Sequence, residues 1–165
     1  MLRRFALLLG LALCWSASAG AQDKVEAFGG YSFMHYGTNP SFNTNGWEIS
    51  GQYKLIPWLG VIGDIDGHYG TLQGVGSTLH NYLVGAQFSF PARVSPFAHV
   101  LIGDGRFSGG GISSSSIAEG FGFGVDDHLA PLVSWRMIQI DVIHTHLFNA
   151  GQSNTRVSTG IVFHF

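Results

Sequence analysis

The stretch Trp47-Glu48-Ile49-Ser50-Gly51-Gln52-Tyr53-Lys54-Leu55 reads with a period of two. Trp47, Ile49, Gly51, Tyr53 and Leu55 fall on one face, and Glu48, Ser50, Gln52 and Lys54 on the other. Successive strand side chains point to opposite sides, so this alternation predicts a half-buried β-strand. The run 61–69 repeats it, with Asp64, Asp66 and His68 sharing a face, and 82–90 repeats it again. After Gly20 no window carries a helical stripe, and the chain reads as all-β.

Composition agrees with that reading. Only 11% of the 165 residues are charged, against about 25% in ordinary soluble domains, while 24 are Gly and 13 are Phe. Disordered chains are charge-rich and aromatic-poor, so disorder is excluded. A net charge of −2 with no Lys/Arg cluster argues against nucleic acid as a partner. Residues 1–21 read as a signal peptide: Met1-Leu2-Arg3-Arg4 is basic, 5–13 is apolar, and Ala17, Ala19 and Ala21 offer cleavage sites. The apolar run is shorter than the ~20 residues a spanning helix needs. Leu13 and Trp15 flank Cys14 where a lipobox wants small residues, so lipidation is not expected. Cleavage removes this single cysteine, leaving residues 22–165 as one domain with no disulfide framework.

Strands are expected at 24–35, 46–55, 59–70, 79–90, 96–107, 117–126, 135–146 and 155–165. Pro40, Pro57, Pro91 and Pro131 fall in the proposed connections, and Pro96 opens a strand, where a missing ladder donor is tolerated. The connections after even-numbered strands read as shorter, although 127–134 is not tight. Those after odd-numbered strands read as longer, with 109–116 the most flexible. Eight strands of about ten residues with one tight end and one loose end predict an eight-stranded antiparallel transmembrane β-barrel of up-and-down topology. Aromatics mark two belts. Trp47, Tyr69, Tyr82 and Phe107 lie at the loop end; Tyr53, Trp58, Phe88, Phe90, Trp135 and Phe163 lie at the turn end. A soluble lipocalin-type barrel would turn its apolar face inward instead. Leu83, Leu101 and Val162, which fall on the proposed inner face, are the residues that favour that alternative.

Val157, Thr159, Ile161, Phe163 and Phe165 alternate up to the last residue. Together with Phe28-Gly29-Gly30-Tyr31-Ser32, Pro96-Phe97-Ala98-His99, Gln139-x-Asp141 and Asn154-x-Arg156-x-Ser158-x-Gly160, they carry a likeness over roughly 24–165. The chain resembles the OmpA-like outer-membrane β-barrel family in its small barrel-only form. The resemblance implies a bacterial outer-membrane location with both termini periplasmic. It also implies contact with outer-membrane lipid and lipopolysaccharide. The C-terminal strand would be the signal read by the barrel-assembly machinery. No peptidoglycan-binding domain is carried over.

The residues point away from catalysis. Ile143-His144-Thr145-His146 faintly resembles the lipid A deacylases, but His146 stands where their Ser would be; Thr145 reads on the opposite face and Ser153 in a loop. His144, His146 and His164 read as rim histidines, and no metal or cofactor is expected. Gly120-Phe121-Gly122-Phe123-Gly124 reads as a strand with its phenylalanines towards lipid rather than a phosphate loop. Gly103-Asp104-Gly105 reads as an irregularity at a loop rim, with Asp104 and Arg106 exposed.

Glu26, Glu48, Lys54, Asp64, Asp66, His68, Asp141 and Arg156 are expected to form a polar lumen network, joined by Gln52, Gln87 and His99. A first hairpin closing over 36–46 would set Met34 beside Glu48 and Phe28 beside Lys54. The turn at 56–58 would set Glu48 beside Asp66, two carboxylates that need a cation. Arg156, level with Met34, is the expected partner of Glu48, with Glu26 and Lys54 a second pair. The function read from these features is a non-catalytic envelope barrel with surface loops of unknown ligand. The alternatives are a narrow or gated pore and a lipid A-modifying acyl hydrolase.

Overall fold

The computed structural model describes residues 24–37, 41–72, 74–145 and 151–165. The signal read over 1–21, Pro40 and His146 lie outside them. Among the described residues, eight antiparallel strands follow in chain order: β1 (Val25–Tyr36), β2 (Phe42–Ile56), β3 (Leu59–Leu72), β4 (Val75–Ser89), β5 (Val94–Gly109), β6 (Ile112–Ala130), β7 (Val133–Thr145) and β8 (Gln152–His164). Each pairs with its sequence neighbours, and β8 returns to β1 to close the barrel. Closure leaves no unpaired edge, as a lipid-embedded sheet requires.

The size of the barrel follows from its register. Direct partners lead from Val25 through Tyr53, Val61, Ala86, Val100, Phe121, Val142 and Thr155 back to β1 at His35. The return lands ten residues further along β1. With a rise of ~3.3 Å per residue and strands ~4.8 Å apart, that stagger tilts the strands by roughly 40° and gives a radius of roughly 8 Å. Such a lumen is wide enough to be filled by side chains and no wider.

Glu48 stands opposite Asp66, and Met34 opposite Arg156, as the sequence suggests. The first hairpin differs. Met34 pairs with Thr44 and Phe28 with Ser50, because β2 starts at Phe42 and takes Asn43, Thr44 and Asn45 into the ladder. The shift is four residues, an even number, so every side chain keeps its face. The loops are also shorter than expected. The expected flexible segment 109–116 is a hairpin turning on Gly110 and Gly111, with φ of 61° and 79°, values only glycine adopts without strain. Ser113 to Ser116 are strand residues paired with 105–108. The connection after β3 spans only 73–74, and that after β6 only 131–132. The expected alternation of tight and loose ends is therefore not clean.

Two further expectations are corrected. Gly103-Asp104-Gly105 runs through regular ladders on both sides; the irregularities fall near Lys54, Val125, His128 and Arg136, all towards the turn end. Phe107 does not join the outer belt. It shares the parity of His99 and Leu101 and is buried in the lumen. The other belt residues do face outward, from Trp47 at 37% exposure to Phe90 at 65%.

The distribution of burial is that of a membrane barrel. Ile49, Val84, Val100, Ile102 and Phe121 are each more than half exposed, whereas Glu48, Asp66, Asp141 and Arg156 are fully buried. Water would penalise such an exterior and hydrocarbon does not. Two tests follow. Unboiled folded protein should migrate differently from boiled protein on a denaturing gel, and co-migration would contradict closure. Val100→Arg, placing a charge in the apolar band, should destabilise the protein in bilayers by about 2–4 kcal/mol if Val100 lies at mid-depth, as its position between the belts indicates.

Candidate functional site: the polar lumen

The lumen is organised around Arg156 of β8, which has no solvent exposure. Its Nε donates to Asp141 Oδ2 at 2.8 Å. Its Nη1 reaches Asp64 Oδ1 at 2.8 Å and Asp66 Oδ2 at 2.5 Å. Glu48 Oε2 lies 3.4 Å from Nε, so the expected partner is present but is the most distant of four carboxylates. Arg suits this position because a planar fork of five N–H donors can serve several acceptors at once, as an ammonium cannot. A second tier of donors answers the remaining oxygens. His99 Nε2 meets Asp141 at 2.7 Å, His68 Nδ1 meets Asp66 at 3.1 Å, and Asn81 donates to both Asp66 oxygens. Gln139 donates to Glu48 and Asp141 at 2.8 Å each, and Ser158 donates to Glu48 at 2.5 Å. Gly122 makes room for this cluster: a Cβ there would collide with Asp141 and His99.

A second buried cation, Arg136 of β7, has no counterpart in the sequence reading. Its Nε and Nη2 grip Asp126 at 2.8 and 3.0 Å, and Nη1 donates to Gln139 at 2.6 Å. Phe28 and Phe97 sandwich the guanidinium, with ring centroids 4.4 and 4.2 Å away. Strict alternation from Gln139 and Asp141 would turn Arg136 outward. The register shift between Arg136 and Gln139 brings both inside. Gln139 thereby joins the two arginine clusters.

At the turn end, Lys54 Nζ lies 2.5 Å from Glu26 Oε1, and His164 Nδ1 lies 3.0 Å from the same oxygen. His164 is therefore a lumen residue rather than a rim histidine; its parity on β8 is that of Arg156. Ser134 lies 2.6 Å from His164 Nε2. This Ser–His–Glu order resembles a hydrolase relay, but Ser134 is completely buried and does not line the adjoining cavity of about 300 Å³. An acyl carbonyl has no approach to it.

Towards the loop end apolar side chains enter the lumen beside the buried Thr44, Asn81, Thr145 and Asn154. Met34, Leu83, Leu101, Ala118 and Ile143 pack together, with Tyr36, Leu79 and Phe107 beyond them. Leu83 and Leu101, the residues that favoured a soluble barrel, thus form a septum across the barrel. A cavity of about 10 Å³ beside Gln52, Gln87 and Arg136 is on the scale of one water. The remaining expected residues take simpler places. Val157, Thr159, Ile161 and Phe163 lie on the outer face of β8, and Phe165, just past its end, exchanges backbone hydrogen bonds with Val25 at 2.8 and 3.1 Å. Ser153 is not in a loop: β8 sets it opposite His144, whose Nδ1 lies 3.1 Å from its Oγ. Among the described residues no group of three His, Cys, Asp or Glu side chains converges as a metal site.

Neisserial surface protein A has a similar fold, with a TM-score of 0.70 at 18% identity over 86% of this chain and 97% of that one. The attachment invasion locus protein Ail of Yersinia pestis matches with a TM-score of 0.60 at 16% identity, over 87% of this chain and all of that one. Ail is also known in complex with the heparin analogue sucrose octasulfate. The N-terminal β-barrel domain of Pseudomonas aeruginosa OprF matches at 0.56 and 10% identity, over 87% and 98%. No family model matches the sequence. No curated protein matches it either. At these identities the likeness shows the fold, that of the small eight-stranded outer-membrane barrels.

Removing Arg156 leaves four carboxylates facing one another without water. Arg156→Ala should cost about 3–5 kcal/mol, read as a lower urea midpoint in lipid. Arg156→Lys should fall between it and wild type. Arg93→Ala, at an 84% exposed side chain, should change little.

Proposed function

We propose that the chain is a non-catalytic protein of the bacterial outer membrane, a rigid barrel that contributes to envelope structure and presents its loop end at the cell surface. One observation carries this reading: an apolar exterior surrounds a lumen filled by the hydrogen-bonded network around Arg156 and by the packed cluster of Met34, Leu83, Leu101 and Ile143. A conducting pore would need an open or wet lumen. The start of β1 and Phe165 lie together at the turn end, and in this reading that end faces the periplasm. The similarity to Ail supports a surface role, because that protein is known with a sulfated saccharide analogue bound. Residues 1–21 serve as the export signal and 22–165 as the mature barrel. The outward row ending at Phe165 is the proposed signal to the barrel-assembly machinery.

An acyl hydrolase is the second reading, favoured by one row on the outer face. Glu119, His144 and Ser153 are direct cross-strand partners on β6, β7 and β8, and the His144–Ser153 pair is within hydrogen-bond reach. Against it, the Ser lies on a regular strand, whose backbone N–H groups belong to the ladder and not to an oxyanion hole.

Three measurements test the proposal. Phe165→Asp should leave export intact but reduce assembled, heat-modifiable protein severalfold; normal assembly would show that this row is not the signal. An epitope inserted at Gly110–Gly111 should be reached by antibody on intact cells, and one inserted at Ala92 should not. Purified barrel incubated with lipid A should release no fatty acid. Release that disappears in Ser153→Ala would replace the non-catalytic reading with the hydrolase.

A further inference from the structure

We propose that the outer wall formed by β2 to β5 carries, at its loop-end belt, a binding patch for the phosphorylated sugar headgroup of a membrane glycolipid. It is built from Trp47, Tyr69, His80, Tyr82, Asp104 and Arg106. The proposal rests on the outer-membrane reading and names the place where that barrel meets its lipid.

The register sets Trp47, Gly67, His80 and Arg106 in one outward-facing row across four strands. Gly67 is the floor of this row: a Cβ there would stand 2.8 Å from the Trp47 ring and 2.9 Å from His80. Its absence lets the two rings lean over the strand, with centroids 6.3 Å apart. Tyr69 meets His80 edge-on at 6.1 Å, and Tyr82 lies 6.5 Å from it. His80 Nδ1 is 3.3 Å from the Asp66 carbonyl oxygen, an acceptor, so Nδ1 donates. Arg106 packs over the Tyr82 ring at 5.7 Å, and its Nε donates to Asp104 at 2.7 Å. Two-thirds of the Arg106 side chain stays exposed, which leaves its terminal nitrogens for a further acceptor.

The position and chemistry of the patch select the ligand. Towards the barrel middle from Trp47, Gly67 and Tyr82 on the same strands stand Ile49, Ile65 and Val84, exposed in the acyl zone. A molecule touching the patch and these residues has acyl chains below and a headgroup above. Three aromatic rings offer flat apolar faces of the kind that stack on the C–H faces of a sugar ring, and the guanidinium fork suits phosphate. Asp104 discriminates. Its carboxylate accepts hydrogen bonds from ring hydroxyls but repels a bare phosphate, so a phospholipid headgroup satisfies only half of the patch. On β6, Ser115 follows Arg106 in the row.

The test reconstitutes the folded protein in phosphatidylcholine nanodiscs that also contain lipid A or phosphatidylglycerol at equal charge. Lipid retained on the protein is counted by native mass spectrometry. Lipid A should be retained at least fivefold over phosphatidylglycerol. His80→Ala with Arg106→Ala should abolish the preference, and Arg93→Ala should keep it. Equal retention of the two lipids, or a preference unchanged in the double variant, would overturn the patch. Heat-modifiable migration is read on the same samples. A barrel that inserts without preference refutes the patch alone, whereas a chain that fails to insert refutes the membrane reading beneath it.

Discussion

A guanidinium with no access to water, held by four carboxylates, is the interaction on which the rest of this structure depends. Arg156 meets Asp64, Asp66 and Asp141 within 2.8 Å, and Glu48 stands behind them. One cation does not neutralise four acids. The lumen therefore recruits further donors from strands around the barrel: His68, Asn81, His99, Gln139 and Ser158. Each is needed because a buried carboxylate oxygen without a donor is costly. The network couples β2, β3, β4, β5, β7 and β8 across the lumen, adding side-chain ties to a barrel that the backbone ladders already close.

Satisfying charge in the middle leaves the two ends free to differ. The turn end keeps a cavity of about 300 Å³ beside Lys54, Glu26 and His164, while apolar side chains pack across the lumen towards the loop end. In the proposed reading, such a filled lumen serves as a strut rather than a conduit, and interactions fall to the outside: the loop ends, the aromatic belts and the lipid-facing rows. The same alternation that buries Arg156 puts His80, Arg106 and Trp47 where a headgroup can reach them.

Much of this was legible because the side-chain period of a strand is two and the described residues form no other kind of regular element. Inner and outer residues separate by parity, and an error of four in the first hairpin register left every face correct. The β2–β3 register was legible because Pro57 and Trp58 leave a turn of only two residues, which fixes the pairing. Arg136 was not legible, since the register shift before Gln139 reverses parity and nothing in the local residue types announces it. Loop lengths were misread for a different reason. Ser113 to Ser116, Asn43 and Asn45 are weak strand formers, yet they are carried by ladders already under way from more apolar residues. The lumen pairs of Arg156 were only partly legible. Sequence spacing sets Arg156 level with Met34, but which of four acids lies nearest depends on side-chain reach across a barrel of roughly 8 Å radius.

The central claim, that Arg156 sits in a dry and closed network, is tested most directly by hydrogen exchange at its Nε–H in the barrel reconstituted in nanodiscs. Transfer to deuterated buffer should leave the Arg156 Nε–H signal protected by at least a hundredfold relative to that of exposed Arg93. Exchange of Arg156 at the rate of Arg93 would mean that water reaches the guanidinium, and the sealed, charge-centred lumen described above would be wrong.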